Sequence, residues 1–241
     1  MGTAVNKVDL FGGGAAAAPE RVYRDLRARI IDFDLPPGST LSRGELTAQY
    51  RVSQTPVREA LQRLEQEGLV RIFPQSRTVV SKIDVRQLSE THFLRVSVET
   101  EVVRRLASGD GVDVVGRAKA IVDMQEILVG TEDQMPMFSD LDRTFHRTLF
   151  EGVGMESLHA LLLVRLGHLY RCQRLELPLE GKMRSIVDAH RSILDGLSRR
   201  HPPAAVDAMR RHLSGTISRV EAIRGEHPDY FTDDDFRWGG G

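Results

Sequence analysis

The chain has 241 residues, enough for one large or two ordinary domains, and its 41% hydrophobic content is that of a soluble globular protein. A formal net charge of -1 excludes a uniformly basic nucleic-acid coat, and a single cysteine, Cys172, excludes an intramolecular disulfide framework and fits a reducing compartment. No apolar run approaches the roughly 18 residues of a membrane span and the start lacks a basic segment followed by an apolar core, so a cytoplasmic protein without membrane association is expected.

Charge is unevenly spread: up to Lys82 there are 12 Lys and Arg against 9 Asp and Glu, and beyond it 21 against 25, so the front third is mildly basic. Residues 1–19 have no amphipathic period and are expected to be a mobile arm. Between residues 20 and 33, Val22, Tyr23, Leu26, Ile30 and Phe33 recur at helical spacing and define a first helix. Leu35-Pro36-Pro37-Gly38-Ser39 then enforces a turn. A second short helix over 43–50 carries Leu46, Ala48 and Tyr50. A third follows within 53–70: Ser53 or Thr55 serves as N-cap, Pro56 sits early enough to lose no bond, and Gly68 supplies a left-handed stop. Its buried face is Val57, Leu61 and Leu64, leaving Gln54, Thr55, Arg58 and Arg63 outside. Residues 69–73 and 78–83 read as strands joined by Pro74-Gln75-Ser76-Arg77. Two short helices followed by a hairpin make a winged helix-turn-helix domain over 20–83. The polar start of its third helix suits the major groove of DNA, although winged helices also serve as protein-interaction modules.

From residue 84 to 225 the pattern predicts an all-α bundle, with helices near 85–108, 112–129, 133–151, 154–175, 180–199 and 203–224, and a flexible tail over 226–241. The fold class is therefore mainly α, a winged helix-turn-helix with a small β-hairpin wing in front of a helical bundle. The first bundle helix carries Leu88, Phe93, Val96, Val98, Val102, Val103 and Leu106, with Arg95 and Glu99 spaced for an ion pair. Asp142 and His146 are four apart, about 6 Å along one helix face, a spacing that lets both reach one metal ion. They neighbour Leu141, Phe145 and Leu149, so they point inward. His190 shares a stripe with Ile186, Val187, Ile193, Leu194 and Leu197, and His212 one with Met209, Leu213 and Thr216. A shared divalent cation satisfies all four inward groups; an Asp–His hydrogen bond with two separately satisfied histidines is the other way to accommodate them. His92, His159, His168, His201 and His227 have no companion at ligand spacing.

Leu35-Pro-Pro-Gly-Ser-Thr-Leu, Glu45-Leu46, Val52-Ser53, Thr55-Pro-Val-Arg-Glu-Ala-Leu61, Arg63-Leu64 and Glu67-Gly-Leu-Val70 resemble the DNA-binding domain of GntR-type bacterial transcription regulators. Asp142-Arg-Thr-Phe-His146, Ala189-His190-Arg-Ser-Ile-Leu194 and Ala208-Met-Arg-Arg-His212-Leu213 resemble the three metal-binding segments of the FCD effector domain of the FadR subgroup, and Arg95-Val-Ser-Val-Glu99 its opening helix. The resemblance implies a homodimer that binds a palindromic double-stranded operator. It also implies a divalent metal on Asp142, His146, His190 and His212, zinc first, with nickel, manganese or iron as alternatives. A small carboxylate metabolite would then act as effector, held by the metal and by Arg95, with Arg165 and Arg174 as further cationic candidates. DNA contacts fall on Arg43, Gln54, Thr55, Arg58 and Arg77. Gly44 and Gln54 replace arginines usual in the family and Arg77 the usual wing glycine, so the base preference is expected to be atypical. Gln54 can read adenine, and Arg58 guanine or phosphate. Ala189 and Arg200-His201-Pro202-Pro203 also depart from the family pattern without touching a proposed ligand. The expected function is a transcriptional regulator, of the repressor type. The alternatives are a metal-dependent hydrolase, which needs a general base that only Glu99 or Glu151 could supply, and a regulator that senses the metal itself.

Overall fold

The computed structural model describes residues 17–73, 77–109 and 112–233. Most of the expected arm, the wing tip Pro74-Gln75-Ser76 and the tail from residue 234 lie outside the described residues.

The first part of the chain is a winged helix: α1 (Ala18–Ile31), β1 (Thr40–Leu41), α2 (Arg43–Tyr50), α3 (Gln54–Gln66), β2 (Val70–Ile72) and β3 (Thr78–Val80). α1 starts before residue 20 because Pro19 in its first turn forfeits no intrahelical bond, and it ends at Ile31 rather than at Phe33, which adopts a positive φ of 63°. Val22, Leu26 and Ile30 of α1 are fully buried with Val57, Ala60, Leu61 and Leu64 of α3. Each large aliphatic side chain removed from water in this way contributes about 1.5–3 kcal/mol. Ser42 caps α2, its Oγ accepting from the Glu45 N–H at 3.3 Å; Leu46 is buried, Tyr50 is half-buried against the core, and Ala48 is exposed rather than a core residue. Ser53 occupies the N-cap position of α3 without a side-chain capping bond, and Gly68, at φ +77°, turns the chain into the wing. The sheet holds a strand that periodicity does not reveal: β1 pairs antiparallel with β3, giving the order β1-β3-β2.

The second part is helical throughout its described residues: α4 (Val85–Ser108), α5 (Val112–Leu128), α6 (Met135–Glu151), α7 (Glu156–Leu163), α8 (Gly167–Glu176), α9 (Lys182–Ser198), α10 (Pro202–Ile217) and α11 (Val220–Glu226). α10 lies along α4 and α9, and α5 along α6 and α9. Two of the expected helices are broken. The one over 154–175 divides into α7 and α8, and at Gly167, where α8 begins, the backbone packs against Leu69 of the winged helix so closely that a Cβ there would lie 2.7 Å from Leu69 Cδ2. The one over 203–224 divides into α10 and α11, and the break lets Arg219 reach Glu176 at 3.1 Å. Phe93 is 75% exposed and leaves the apolar stripe of α4, which is carried by Leu88, Val102, Val103 and Leu106. The stretch expected to be a flexible tail is ordered as far as residue 233. Phe231 is buried and forms a parallel bridge with Ile83, whose N–H donates to the Tyr230 carbonyl at 2.7 Å. The end of the described chain is thus fastened to the segment joining wing and bundle.

Candidate functional site

Three helices converge on one cluster in the bundle. α6 supplies Asp142 and His146 from the same face, α9 supplies His190 and α10 His212, and ligating atoms of all four lie within 4.8 Å of one another. The approach of α9 to α10 depends on Gly196, where a Cβ would sit 2.6 Å from the Ala205 backbone nitrogen. That approach brings the His190 and His212 rings to 4.6 Å between centroids. Phe145 stacks on the His190 ring at 3.9 Å.

Hydrogen bonds set the direction in which the imidazoles offer their lone pairs. His146 Nδ1 lies 2.6 Å from Glu99 Oε2 and His190 Nδ1 lies 2.8 Å from Gln125 Oε1. Both acceptors take an N–H from Nδ1, which turns Nε2 of each ring to the cluster. Arg95 holds Glu99 through an ion pair of 2.6 Å. Burial alone would raise the Glu99 carboxyl, but Arg95 and His146 outweigh it and keep it ionised, well below the usual carboxylate range. Burial, then the neighbouring histidines and Arg95, hold His190 and His212 well below the ordinary histidine range, so both are neutral near pH 7. His190 Nε2 is buried and finds no hydrogen-bond partner among the described residues, its contact with Asp142 Oδ1 being 3.4 Å. His146 Nε2 and His212 Nε2 are only 3.0 Å apart. Neutral imidazole lone pairs, a nearby carboxylate and an unpartnered buried nitrogen form a donor set suited to a divalent cation, so the residues fit such an ion.

A cavity of about 230 Å³ opens on this cluster, lined by Asp142, His212, Arg95, Lys182, Ser185 and Arg211 among others. A larger cleft of about 540 Å³ runs between α1 and α6–α8 and touches the cluster only through Asp142. Of the arginines anticipated at the effector site, Arg95 lines the smaller cavity with its guanidinium 3.4 Å from His146 Nε2. Arg165 is exposed and lines neither cavity, and Arg174 is drawn to Asp32 at 3.3 Å in the larger cleft. Lys182 and Arg211 face the cavity instead, and sequence reasoning missed both. Arg211 adjoins His212, a signal that could have found it; Lys182 carries no such signal. Gln125 was missed too, since only the packing of α5 on α9 discloses its contact.

In the winged helix, Gln54, Thr55 and Arg58 are exposed along the first turns of α3, Arg43 at the first position of α2, and Arg77 at the base of the wing. Arg77 lies 5.5 Å over the Phe73 ring. Arg63 is withdrawn from the reading face. It pairs with Glu20 at 2.5 Å and stands 3.7 Å over the Tyr23 ring, tying α3 to α1.

Sequence comparison agrees with both halves of this architecture. The profile of the bacterial regulatory proteins of the gntR family matches residues 18–80, and that of the FCD domain matches residues 90–215. The chain belongs to the GntR family, with an FCD domain behind its winged helix. The regulator is 35% identical over 214 residues to an HTH-type transcriptional regulator in an unstable DNA locus of Streptomyces ambofaciens, covering 88% of this chain and 89% of that one. It is 28% identical over 215 residues to the HTH-type transcriptional repressor RspR of Escherichia coli K12, covering 89% and 94%. In fold it is similar to E. coli McbR/YncC, with a TM-score of 0.71 at 20% identity over 88% of this chain and 99% of that one. The family consists of DNA-binding transcription regulators and not enzymes, and the cluster accords with this. Glu99 is locked between Arg95 and His146, and Glu151 pairs with Arg117 at 3.1 Å and Arg147 at 3.3 Å, so neither carboxylate is placed as a general base. Among the described residues no helix is long and apolar enough to cross a membrane.

Proposed function

We propose that this regulator binds a palindromic operator as a cytoplasmic homodimer and acts as a repressor whose DNA affinity answers to a small organic acid. Arg43, Gln54, Thr55, Arg58 and Arg77 form the DNA face, with Gln54 and Arg58 reading bases and the others positioning the backbone. Asp142, His146, His190 and His212 hold a divalent cation, zinc first, with nickel, manganese or iron as alternatives. When bound, that ion supplies a positive centre for a carboxylate. Arg95, Lys182 and Arg211 orient the acid in the cavity, and Glu99 and Gln125 fix the ring orientations of His146 and His190.

The observation that carries this reading is the convergence of four ligating groups within 4.8 Å beside a cavity lined with cationic side chains. An unpartnered buried imidazole nitrogen costs free energy in the absence of a ligand. The cation offsets that cost, and the cationic wall suits a sugar acid, hydroxy acid or dicarboxylate. Regulation follows if the acid binds the free and DNA-bound arrangements with different affinity, because the coupling is then reciprocal.

The test is an operator mobility-shift titration of protein loaded with each metal, in the presence of gluconate, lactate or succinate, using the promoter region beside its own gene. A shift in operator affinity of about fivefold or more with one acid supports the reading. Affinity that follows the metal alone, through chelation and add-back, would instead favour direct metal sensing.

A further inference from the structure

α8 stands between the cavity and the reading head, and its ten residues touch both. On the cavity side, Leu169 and Gln173 line the space above the cluster. On the other side, Gly167 packs on Leu69 and His168 lies against Gly68, both in the turn from α3 into the wing. Arg27 of α1 lies 5.7 Å from the Tyr170 ring centroid, and Arg174 reaches Asp32. A displacement of α8 relative to the bundle is therefore felt directly by the DNA-binding domain.

This helix carries two buried charges with unusual partners, one at its C-terminus and one at its middle. At its C-terminal end Glu176 is fully buried, with Lys182 Nζ 2.7 Å from Oε2 and Arg219 Nε 3.1 Å from Oε1, ion pairs rather than aligned hydrogen bonds. Lys182 also lines the cavity, so its ammonium is within reach of whatever anion enters there. On the opposite face Arg171 is fully buried and meets no carboxylate among the described residues. Its Nη1 donates to the Ser81 carbonyl at 2.9 Å, while Nε and Nη2 have no hydrogen-bond partner among the described residues. Its guanidinium lies 5.4 Å from the Phe33 ring, which stacks on Tyr230. Ser81, Ile83 and the returning Phe231 strand make up the junction between wing and bundle.

We propose that α8 is the switch between effector cavity and winged helix, with Lys182 exchanging Glu176 for an effector carboxylate at its C-terminal end and Arg171, at its middle, positioning the Ser81 junction. This rests on the effector reading above and names its route. Withdrawal of Lys182 leaves Glu176 buried with Arg219 alone, which disfavours the present seat of α8. Arg171 has two unmet donors in that seat, a cost that an arrangement giving them acceptors would relieve. An element with two nearly balanced positions that both sites contact is the physical requirement for coupling between them.

The experiment uses full-length, metal-loaded protein and fluorescence anisotropy with operator DNA, in two arms. Without any acid, Lys182→Gln is expected to change operator affinity by about fivefold or more. Arg171→Met alone leaves operator affinity within about twofold, and Arg171→Met added to Lys182→Gln reduces the fivefold change to under twofold. In the second arm, whichever of gluconate, lactate or succinate binds wild type is expected to bind Arg171→Met with unchanged calorimetric affinity. Its effect on operator affinity is largely lost in that variant and is partly restored by Arg171→Lys, which can still donate to the Ser81 carbonyl. Should Arg171→Met fold poorly, Arg171→Gln takes its place. A full acid response in the Arg171 variants, or operator binding indifferent to Lys182→Gln, overturns the proposal. If none of the acids affects wild type but the acid-free arm behaves as stated, the effector assignment fails and the α8 route stands.

Discussion

His168 illustrates how a single buried side chain sets a pH response. It is 2% exposed, packed beside Gly68, and its Nδ1 has no hydrogen-bond partner among the described residues. Burial, then the nearby Arg171 charge, pushes it from 6.5 down to about 4. Between those two values the unfolded chain takes up a proton that the folded chain refuses, so the unfolded state binds more protons and stability falls as pH falls. The loss from this one residue approaches about 1.4 kcal/mol per pH unit across the window, and none of it arises above the upper value. His168→Gln should flatten the acid limb of a stability–pH curve measured by urea denaturation between pH 4 and 6.5; an unchanged limb would show that His168 is not its source. Arg58 raises the corresponding question at the DNA face. It is exposed in the second turn of α3 with no acidic side chain among the described residues engaging it, unlike Arg63, which Glu20 and Tyr23 hold. Arg58→Ala should cost about 1–3 kcal/mol of operator binding, read as a drop in affinity at fixed salt, whereas Arg63→Ala should act mainly through stability.

At the scale of elements, the cluster exists because α9 and α10 touch. The contact needs a residue without a side chain at position 196, since a Cβ would stand 2.6 Å from the Ala205 nitrogen and 2.8 Å from its Cα. Backbone cannot yield as a flexible side chain can. Gly196→Ala should therefore force the two helices apart, costing about 1–3 kcal/mol in thermal or chemical unfolding. Because His190 and His212 ride on those helices, the same substitution should weaken metal uptake, measured by competition with a chromogenic chelator. Normal uptake in a destabilised variant would mean that the cluster tolerates a wider separation than its present geometry implies. Helix composition alone left this hidden: Gly196 in an apolar stripe reads as a mild helix weakness until the neighbouring helix is seen.

For the molecule as a whole, the junction between winged helix and bundle is held from three directions. Arg171 comes from α8, Phe33 from the end of α1, and Tyr230 and Phe231 from the far end of the described chain. Phe231 is 1% exposed and lies against Ile83, itself fully buried. Removing a buried phenylalanine ring costs about 3–5 kcal/mol when the site cannot collapse. Phe231→Ala should lower stability by that order and loosen the junction, with faster amide exchange at Ile83 and Thr232. Equal exchange in both proteins would mean that the strand is held by its backbone bonds alone.

What the sequence determined by itself was whatever rests on neighbours along the chain. Helical spacing in α1 and α3, the turn at Gly68 and the polar start of α3 were readable because each is local. So was the pairing of Asp142 with His146, four residues apart on one helix, and the inward set of His190 and His212. Tertiary structure decided everything that depends on which surfaces meet. It drew Arg63 from the DNA face to Glu20, sent Arg174 to Asp32 and left Arg165 at the surface. It brought Lys182 and Arg211 to the cavity, aimed Glu99 and Gln125 at the His146 and His190 imidazoles, broke two helices and folded the tail back onto Ile83. A periodic pattern says which side of a helix turns inward. It holds no information on which other helix fills the space there, because that choice is made by long-range packing of shapes and charges.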